Sequence, residues 1–226
     1  MASALIILAA GKGTRMKSDL PKVLHPLASV PMLAHAMRAG AALEPVRTII
    51  VAGHGADAVR NAAEEFEPSV EIALQEDQNG TAHAVAQAAP LLKDFSGDVV
   101  VLYGDTPFIR PETLDRMAQA RATHDLVILG FKAIDPGRYG RLVMKDDQLE
   151  RIVEFKDATN GEKSINLCNS GVIFASSSVL FDLIAEVGND NASGEFYLTD
   201  IVALARAKGL SATAVACDEA ETMGIN

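Results

Sequence analysis

Strand-like and helical patterns alternate through the first half of the chain, and this alternation constrains the fold more than any other feature. Runs rich in Val, Ile and Leu predict strands at residues 4–8, 47–52, 70–74 and 98–102. Alanine-rich amphipathic patterns between them predict helices at residues 32–43, 56–66 and 81–92. Because such alternation implies right-handed crossovers, we predict an α/β fold: a Rossmann-like, mixed but mostly parallel sheet with helices on both faces.

The second half of the chain has a different pattern. Residues 138–144 and 149–155 predict a hairpin-like pair of strands around Asp146 and Asp147. A further strand is predicted at residues 170–175, a helix at 198–207 and a last short strand at 212–216. We found no internal repeat, and we predict one domain over residues 1–226.

The loop after the first predicted strand is rich in glycine and basic residues. Residues 11–15 read GKGTR, and Lys22 follows directly after Pro21. Residues 12–22 contain four Lys or Arg and one acidic residue, although the chain has a formal net charge of −10. A strand that ends in glycines and cations offers backbone N–H groups and positive charge to phosphates. We therefore predict a phosphate-rich ligand here.

The glycine spacing excludes two common phosphate-binding motifs. A dinucleotide fingerprint, G-x-G-x-x-G, would need a glycine where the chain has Met16. The P-loop pattern G-x-x-x-x-G-K-[ST] is also absent from the sequence. Neither class of nucleotide-binding loop explains residues 11–15.

Two more polar segments follow predicted strands. Residues 75–81, QEDQNGT, come after the strand at 70–74, and residues 103–105, YGD, come after the strand at 98–102. In an open parallel sheet, ligands bind beyond the carboxyl ends of the strands. Three strands therefore deliver polar groups to one edge of the predicted sheet.

The segments LAAGKGTRM, PKVLHPL and QEDQNGTAH resemble the signature of the sugar-phosphate nucleotidyltransferases. The likeness extends along nearly the whole chain and is greatest to the uridylyltransferase halves of bifunctional N-acetylglucosamine-1-phosphate uridylyltransferases. It implies a GT-A-like nucleotide-diphospho-sugar transferase fold. It also implies magnesium-dependent transfer of UMP from UTP to N-acetylglucosamine-1-phosphate, with release of pyrophosphate. The nucleotide-binding half would run to about residue 110, and the rest would bind the sugar phosphate.

The resemblance also implies a role for each matching residue. Arg15 and Lys22 would be catalytic, because both would neutralise charge on the phosphates. Magnesium would be bound by Asp105 and Asn226. The nucleotide would be bound by Leu8, Ala9, Ala10, Gly11, Lys22, Gln75, Gln78, Gly80 and Thr81, and the sugar phosphate by Tyr103, Gly104, Gly140, Glu154, Asn169 and Thr199.

The side-chain chemistry of these residues is compatible with the predicted roles, although purely structural roles stay open for several of them. A glutamine amide offers a donor and an acceptor to the edge of uracil, although a Gln, Asn and Gly cluster is more often a turn with a helix cap. A carboxylate such as Asp105 beside a triphosphate suits Mg²⁺, but it could also cap the end of a strand. No activated serine or cysteine is needed, since a phosphomonoester is itself a nucleophile. The five histidines are assigned no catalytic role.

The chain departs from the family pattern at one turn. Ser29 and Val30 stand where the family usually has a glycine and a basic residue. This removes one cation near the triphosphate loop, or simply alters a turn. The β-helix acetyltransferase domain of the bifunctional enzymes, which forms their trimers, is not found in the sequence, so we expect a monomer or a weak oligomer.

Composition limits the partners. A pI near 4.9 argues against nucleic acid, because a polyanion needs a broad basic face. Neither a membrane-length apolar run nor a signal peptide is evident, so we expect a soluble cytoplasmic protein without a membrane partner.

Two other functions stay open on the sequence. A relative with another base or acceptor, such as a cytidylyl- or guanylyltransferase, shares the LAAG opening. A non-catalytic nucleotide-binding module is the other alternative, although Asp105, Glu154 and Asn169 together argue against it.

Overall fold

A computed structural model describes residues 2–11, 13, 16 and 18–225. Within these residues nine strands join in one sheet and two short strands form a separate hairpin. The strands are β1 Ser3–Ala9, β2 Pro26–Leu27, β3 Val30–Pro31, β4 Arg47–Ala52, β5 Glu71–Leu74, β6 Asp98–Tyr103, β7 Leu126–Lys132, β8 Arg141–Lys145, β9 Gln148–Val153, β10 Leu167–Ser176 and β11 Ala212–Cys217.

The helices lie between the strands along the chain. They are α1 Met32–Ala41, α2 Ala56–Phe66, α3 Thr81–Ala86, α4 Pro111–Arg121, α5 Asn160–Lys163, α6 Ser177–Ile184 and α7 Ile201–Ala207, with short 3-10 helices at Lys22–Leu24, Ala89–Leu92, Leu198–Asp200 and Glu219–Thr222. None of the helices in the described ranges is both long enough and apolar enough to cross a membrane.

The main sheet is mixed, with the strand order β11-β7-β10-β6-β1-β4-β5. The pairs β6-β1, β1-β4, β4-β5 and β11-β7 are parallel. Strand β10 runs antiparallel to both of its neighbours, β6 and β7. The β8-β9 hairpin joins β10 through a pair between Cys168 and Arg141.

Alternation along β1 explains the two hydrophobic layers. Ala4, Ile6 and Leu8 pack on one face with helices α3, α6 and α7. Leu5 and Ile7 pack on the other face with α1, α2 and α4. A strand buried on both faces reads as a continuous apolar run, as β1 does. The predicted fold, a mostly parallel mixed sheet with helices on both faces, is confirmed.

Several local elements differ from the sequence prediction. The predicted helix 81–92 is divided: α3 ends at Ala86 and a 3-10 helix covers Ala89–Leu92. Pro90 explains the division, because it lacks an N–H and its ring would clash with the carbonyl four residues earlier, at Ala86. The sequence analysis also missed β7, α4 and α6. The run LVIL at the start of β7 and the proline at the first position of α4 were available signals.

The main sheet contains strands from both predicted halves. Strands β1, β4, β5 and β6 come from the first 110 residues, and β7 to β11 come from the remainder. The division into a nucleotide-binding half and a sugar-phosphate-binding half stays a prediction.

Candidate active site

A cavity of about 360 Å³ opens at the carboxyl ends of β1, β5 and β6. This is the edge of the sheet where the sequence predicts a ligand. Every residue predicted to bind the nucleotide lines the cavity, namely Leu8, Ala9, Ala10, Gly11, Lys22, Gln75, Gln78, Gly80 and Thr81. Tyr103 and Asp105 line it as well. The structure therefore brings these residues together, and their individual roles stay predictions.

Hydrogen bonds hold the three strand-end loops against each other. The side-chain amide of Gln78 donates to the carbonyl of Ala10 at 2.6 Å. The N–H of Gly104 donates to the carbonyl of Leu8 at 3.0 Å. The loop after β1 is thus joined to the loop after β5, and the end of β1 is joined to the loop after β6.

An ion pair between Lys22 and Asp105 lies in the wall of the cavity. Lys22 Nζ is 2.6 Å from Asp105 Oδ2, and the two side chains are 13% and 29% exposed. Lys22 begins the short 3-10 helix after Pro21, and Asp105 lies just beyond β6. The pair places a cation and a carboxylate side by side in the wall of the cavity.

Two predicted site residues, Arg15 and Asn226, lie outside the described residues. Ile225, next to Asn226 in the chain, donates its N–H to the carbonyl of Asp105 at 3.2 Å. The C-terminal end of the described chain therefore contacts Asp105, the other residue predicted to bind the metal.

The residues of the cavity fit a magnesium ion that takes most of its ligands from the bound substrate and water, and few from the protein. In the described part of the chain, no three His, Cys, Asp or Glu side chains form a metal-binding cluster. Mg²⁺ usually takes one or two protein carboxylates and completes its shell with phosphate oxygens and water. One carboxylate, Asp105, in the wall of a cavity with phosphate-binding features satisfies this requirement.

Four residues predicted to bind the sugar phosphate form a second cluster. The N–H of Asn169 donates to the carbonyl of Gly140 at 2.9 Å. Thr199 Oγ1 donates to Glu154 Oε1 at 3.2 Å. A Cβ at Gly140 would lie 3.4 Å from Glu154 Oε1 and 3.6 Å from Asn169 Cβ, so the backbone of Gly140 lies close to both side chains. These residues come from β10, the loop before β8, the end of β9 and the 3-10 helix before α7.

The carboxyl group of Glu154 is held in an environment that favours its neutral form. Burial raises the pKa of Glu154, and the nearby Asp200 and Asp157 raise it further. The hydrogen bond from Thr199 lowers this pKa in part. Burial and the two neighbouring carboxylates therefore make ionisation of Glu154 less favourable than that of a surface glutamate.

Tyr103 connects the two clusters. Burial raises the pKa of Tyr103, the charges of Glu154 and Asp105 raise it further, and a side-chain hydrogen bond with Thr81 lowers it in part. Its phenol therefore stays protonated and can donate a hydrogen bond. Gly104, the remaining predicted residue, follows Tyr103 and packs near Val23.

Glu195 is a lining residue that the sequence analysis missed. It begins residues 195–198, which we call the crossing segment because they cross the loop before α3. Phe196 donates to the carbonyl of Asn79 at 2.8 Å and accepts from the N–H of Ala82 at 2.9 Å. The N–H of Leu198 donates to Thr81 Oγ1 at 3.0 Å. No local pattern marks Glu195, which reaches the cavity only because the crossing segment lies there.

The fold and the cavity together define a nucleotidyltransferase-like α/β protein. A UDP-glucose pyrophosphorylase complexed with UDP-glucose superposes with a TM-score of 0.76 at 16% identity, covering 95% of this chain and 90% of that one. The inositol-1-phosphate CTP transferase from T. maritima superposes with a TM-score of 0.75 at 17% identity, covering 96% and 86%. At these identities the likeness is one of fold.

Sequence comparison assigns the family. Residues 5–167 match the MobA-like NTP transferase domain, and the chain belongs to this family of nucleotidyltransferases. It is 68% identical over 226 residues to the bifunctional protein GlmU of Ruegeria pomeroyi, covering 100% of this chain and 50% of that protein. It is 57% identical over 223 residues to the bifunctional protein GlmU of Paracoccus denitrificans, covering 99% and 50%.

These matches confirm the predicted resemblance to the nucleotidyltransferase part of the bifunctional enzymes. The chain spans about half the length of the curated relatives that it matches.

Proposed function

We propose that this domain transfers UMP from UTP to N-acetylglucosamine-1-phosphate, giving UDP-N-acetylglucosamine and pyrophosphate. The observation that carries the proposal is the convergence of all nine predicted nucleotide-binding residues on one cavity that also contains the Lys22–Asp105 pair. The high identity to proteins named GlmU supports the choice of uridylyl transfer over the other activities found on this fold.

In this reaction an oxygen of the sugar phosphate attacks the α-phosphorus of UTP. A new P–O bond forms, the bond between the α-phosphorus and the bridging oxygen breaks, and pyrophosphate leaves with the electron pair. The attacking phosphate is largely dianionic at neutral pH, so it needs no protein base. The task of the protein is to orient the two phosphates and neutralise their charge.

Lys22 is suited to neutralise charge because it lies in the cavity wall as a mostly buried cation. Arg15 would act in the same way from the loop after β1. The magnesium ion, when bound, supplies further positive charge on the phosphates. Asp105 and Asn226 would hold that ion, with phosphate oxygens completing its coordination.

The second cluster is suited to an amino sugar. Glu154 and Asn169 offer polar side chains, and the space at Gly140 allows close approach to its backbone. Tyr103 would contact both substrates, because its electrostatic neighbours belong to both clusters. Together these groups can bind hydroxyl and acetamide groups at a fixed distance from the α-phosphate.

Pyrophosphate release from the purified chain tests the proposal. With Mg²⁺ and UTP, we expect release only when N-acetylglucosamine-1-phosphate is added. Equal turnover with CTP or GTP would assign the domain to a cytidylyl- or guanylyltransferase. UTP binding without turnover on any sugar phosphate would contradict catalysis and favour a nucleotide-binding module.

A further inference from the structure

We propose that His83 is a positioning residue that fixes the side-chain amide of Gln75, so that the site prefers uracil to cytosine. The inference rests on the proposed function, because it needs Gln75 to contact the base. His83 would thus belong to the site without touching the phosphates or the sugar.

The orientation of the Gln75 amide follows from its two partners. Gln75 is 4% exposed, and its Nε2 lies 3.1 Å from the carbonyl oxygen of Gly80 and 3.1 Å from His83 Nδ1. A carbonyl oxygen can only accept, so the amide nitrogen must be the atom that faces Gly80. The two amide hydrogens match these two partners. Both hydrogens are therefore used within the protein.

The oxygen of the Gln75 amide is left for a ligand. Among the described residues no group donates a hydrogen bond to Gln75 Oε1, and this atom is not sealed from solvent. Gln75 lines the cavity that we assign to the nucleotide. The site thus offers a hydrogen-bond acceptor at this point of the base-binding surface.

Accepting from Gln75 requires one tautomer of His83. If Nδ1 accepts, the imidazole hydrogen lies on Nε2. A second amide, that of Gln87, has its nitrogen 3.2 Å from His83 Nε2 and donates to the backbone carbonyl of His83 at 2.9 Å. Two amide nitrogens therefore face a ring that has a single acceptor nitrogen in this tautomer.

Burial decides which amide donates to the ring. Gln75 is buried, so an unused amide hydrogen there would lose its partner without gaining water. Gln87 is only partly buried, and its remaining hydrogen can be solvated. We therefore assign the acceptor nitrogen of His83 to Gln75.

A hydrogen-bond acceptor at this point distinguishes uracil from cytosine. Uracil has a donor, N3–H, on its pairing edge, whereas N3 of cytosine is an acceptor that would face Gln75 Oε1 with like charge. Without His83, only the hydrogen bond to the Gly80 carbonyl holds the Gln75 amide, so a turn that offers its NH₂ group to cytosine breaks one hydrogen bond instead of two. Loss of His83 should therefore raise CTP affinity while it lowers UTP affinity.

Binding of UTP and CTP to the full 226-residue chain with Mg²⁺ tests the inference. The UTP preference is the Kd for CTP divided by the Kd for UTP, both measured by calorimetry. We expect His83→Leu to reduce this ratio by about tenfold, which corresponds to one hydrogen bond of about 1.4 kcal/mol. Leucine suits the site, since His83 also borders a small pocket with Ile184, Val187 and Phe196. His83→Asn can place its amide oxygen near the Nδ1 position, so we expect it to keep most of the preference.

Gln87→Leu is the matched control, because it removes the other amide that faces the ring. Its UTP preference should stay within about twofold of the parent. An unchanged preference in a folded His83→Leu protein would overturn the inference and leave the proposed function intact. Failure of the unaltered chain to bind UTP would instead contradict the proposed function.

The tautomer of His83 gives a test that does not depend on a variant folding. Nitrogen-15 NMR of histidine-labelled protein should show His83 with its hydrogen on Nε2. A hydrogen on Nδ1 would overturn the inference.

Discussion

At the scale of single residues, the ion pair between Lys22 and Asp105 is the point on which the proposed chemistry depends. Asp105→Asn keeps the shape of the side chain but removes its charge. We expect kcat to fall about 100-fold or more, because the developing charge on the phosphates loses its metal anchor. UTP affinity measured without metal should be largely kept, since Lys22 remains. Steady-state pyrophosphate release measures the change.

Glu71→Gln is the matched control for this prediction. Arg47 and Glu71 also form an ion pair at 2.6 Å, with side chains 33% and 32% exposed, between β4 and β5. Neither residue lines the cavity, so kcat should not change. If Asp105→Asn retained near-normal turnover, a metal-binding role for Asp105 would be excluded.

Glu154 links the stability of the protein to pH at the same scale. Its pKa is raised above the ordinary 4.5 by burial and by Asp200 and Asp157, so folding favours the protonated form. The stability that this proton provides is complete below the unfolded pKa and is lost as pH rises through the folded pKa. Glu154→Gln, which stays neutral, should therefore have a higher Tm than the parent at pH 7.5. The difference should vanish near pH 4, the lower end of that window.

Thermal unfolding at both pH values measures this effect. A Tm advantage that persisted at pH 4 would show that ionisation is not its cause.

At the scale of elements, the β2-β3 hairpin turns on two residues in the left-handed region. Ala28 has a φ of 49° and Ser29 a φ of 67°. Tight two-residue hairpins of this kind favour Asn and Gly, because side chains with a Cβ are strained there. Ser29, which stands where the family usually has a glycine, therefore has a backbone conformation that glycine would adopt with less strain.

Ser29→Gly should stabilise the protein by about 0.5–1 kcal/mol, which in a domain of this size raises Tm by about 1–4 °C. Ser164→Gly is the control, since Ser164 has a φ of −80° and gains nothing from glycine. A lower Tm for Ser29→Gly than for the parent would contradict strain at this turn.

The element boundaries show how far local pattern predicts structure. The strands β1, β4 and β6 were predicted closely because their apolar runs are continuous and end in polar loops. The direction of β10 was not predictable. Nothing in its own residues distinguishes a strand that pairs antiparallel with β6 and β7 from one that pairs parallel. Strand direction depends on the path of the chain before and after it.

At the scale of the whole molecule, the crossing segment joins regions that are far apart in the sequence. Gly80 has a φ of 114°, and a Cβ there would lie 2.5 Å from the carbonyl oxygen of Phe196. Gly80→Ala should therefore push the crossing segment away from the loop before α3. We expect a loss of about 1–3 kcal/mol in stability and weaker binding of UTP.

Urea unfolding and UTP titration measure the two effects. Gly161→Ala is the control, because a Cβ at Gly161 meets no atom within 4 Å. Equal behaviour of the two variants would show that the contact with Phe196 does not support the cavity.

The sequence by itself determined the fold class and the edge of the sheet that carries the cavity. Both follow from local order: apolar runs form buried strands, and the loops after parallel strands meet at one edge. Residues 8–11, 75–81 and 103–105 could be brought together on that basis alone. Resemblance then supplied their expected roles.

Only the tertiary structure decided which distant side chains touch. Thr199 reaches Glu154 across 45 positions of sequence, and Leu198 reaches Thr81 across 117. The position of Glu195 in the cavity wall belongs to the same class of contact. Such contacts depend on how whole elements pack, since the free energy that selects them comes from burying the two hydrophobic layers and not from the local sequence.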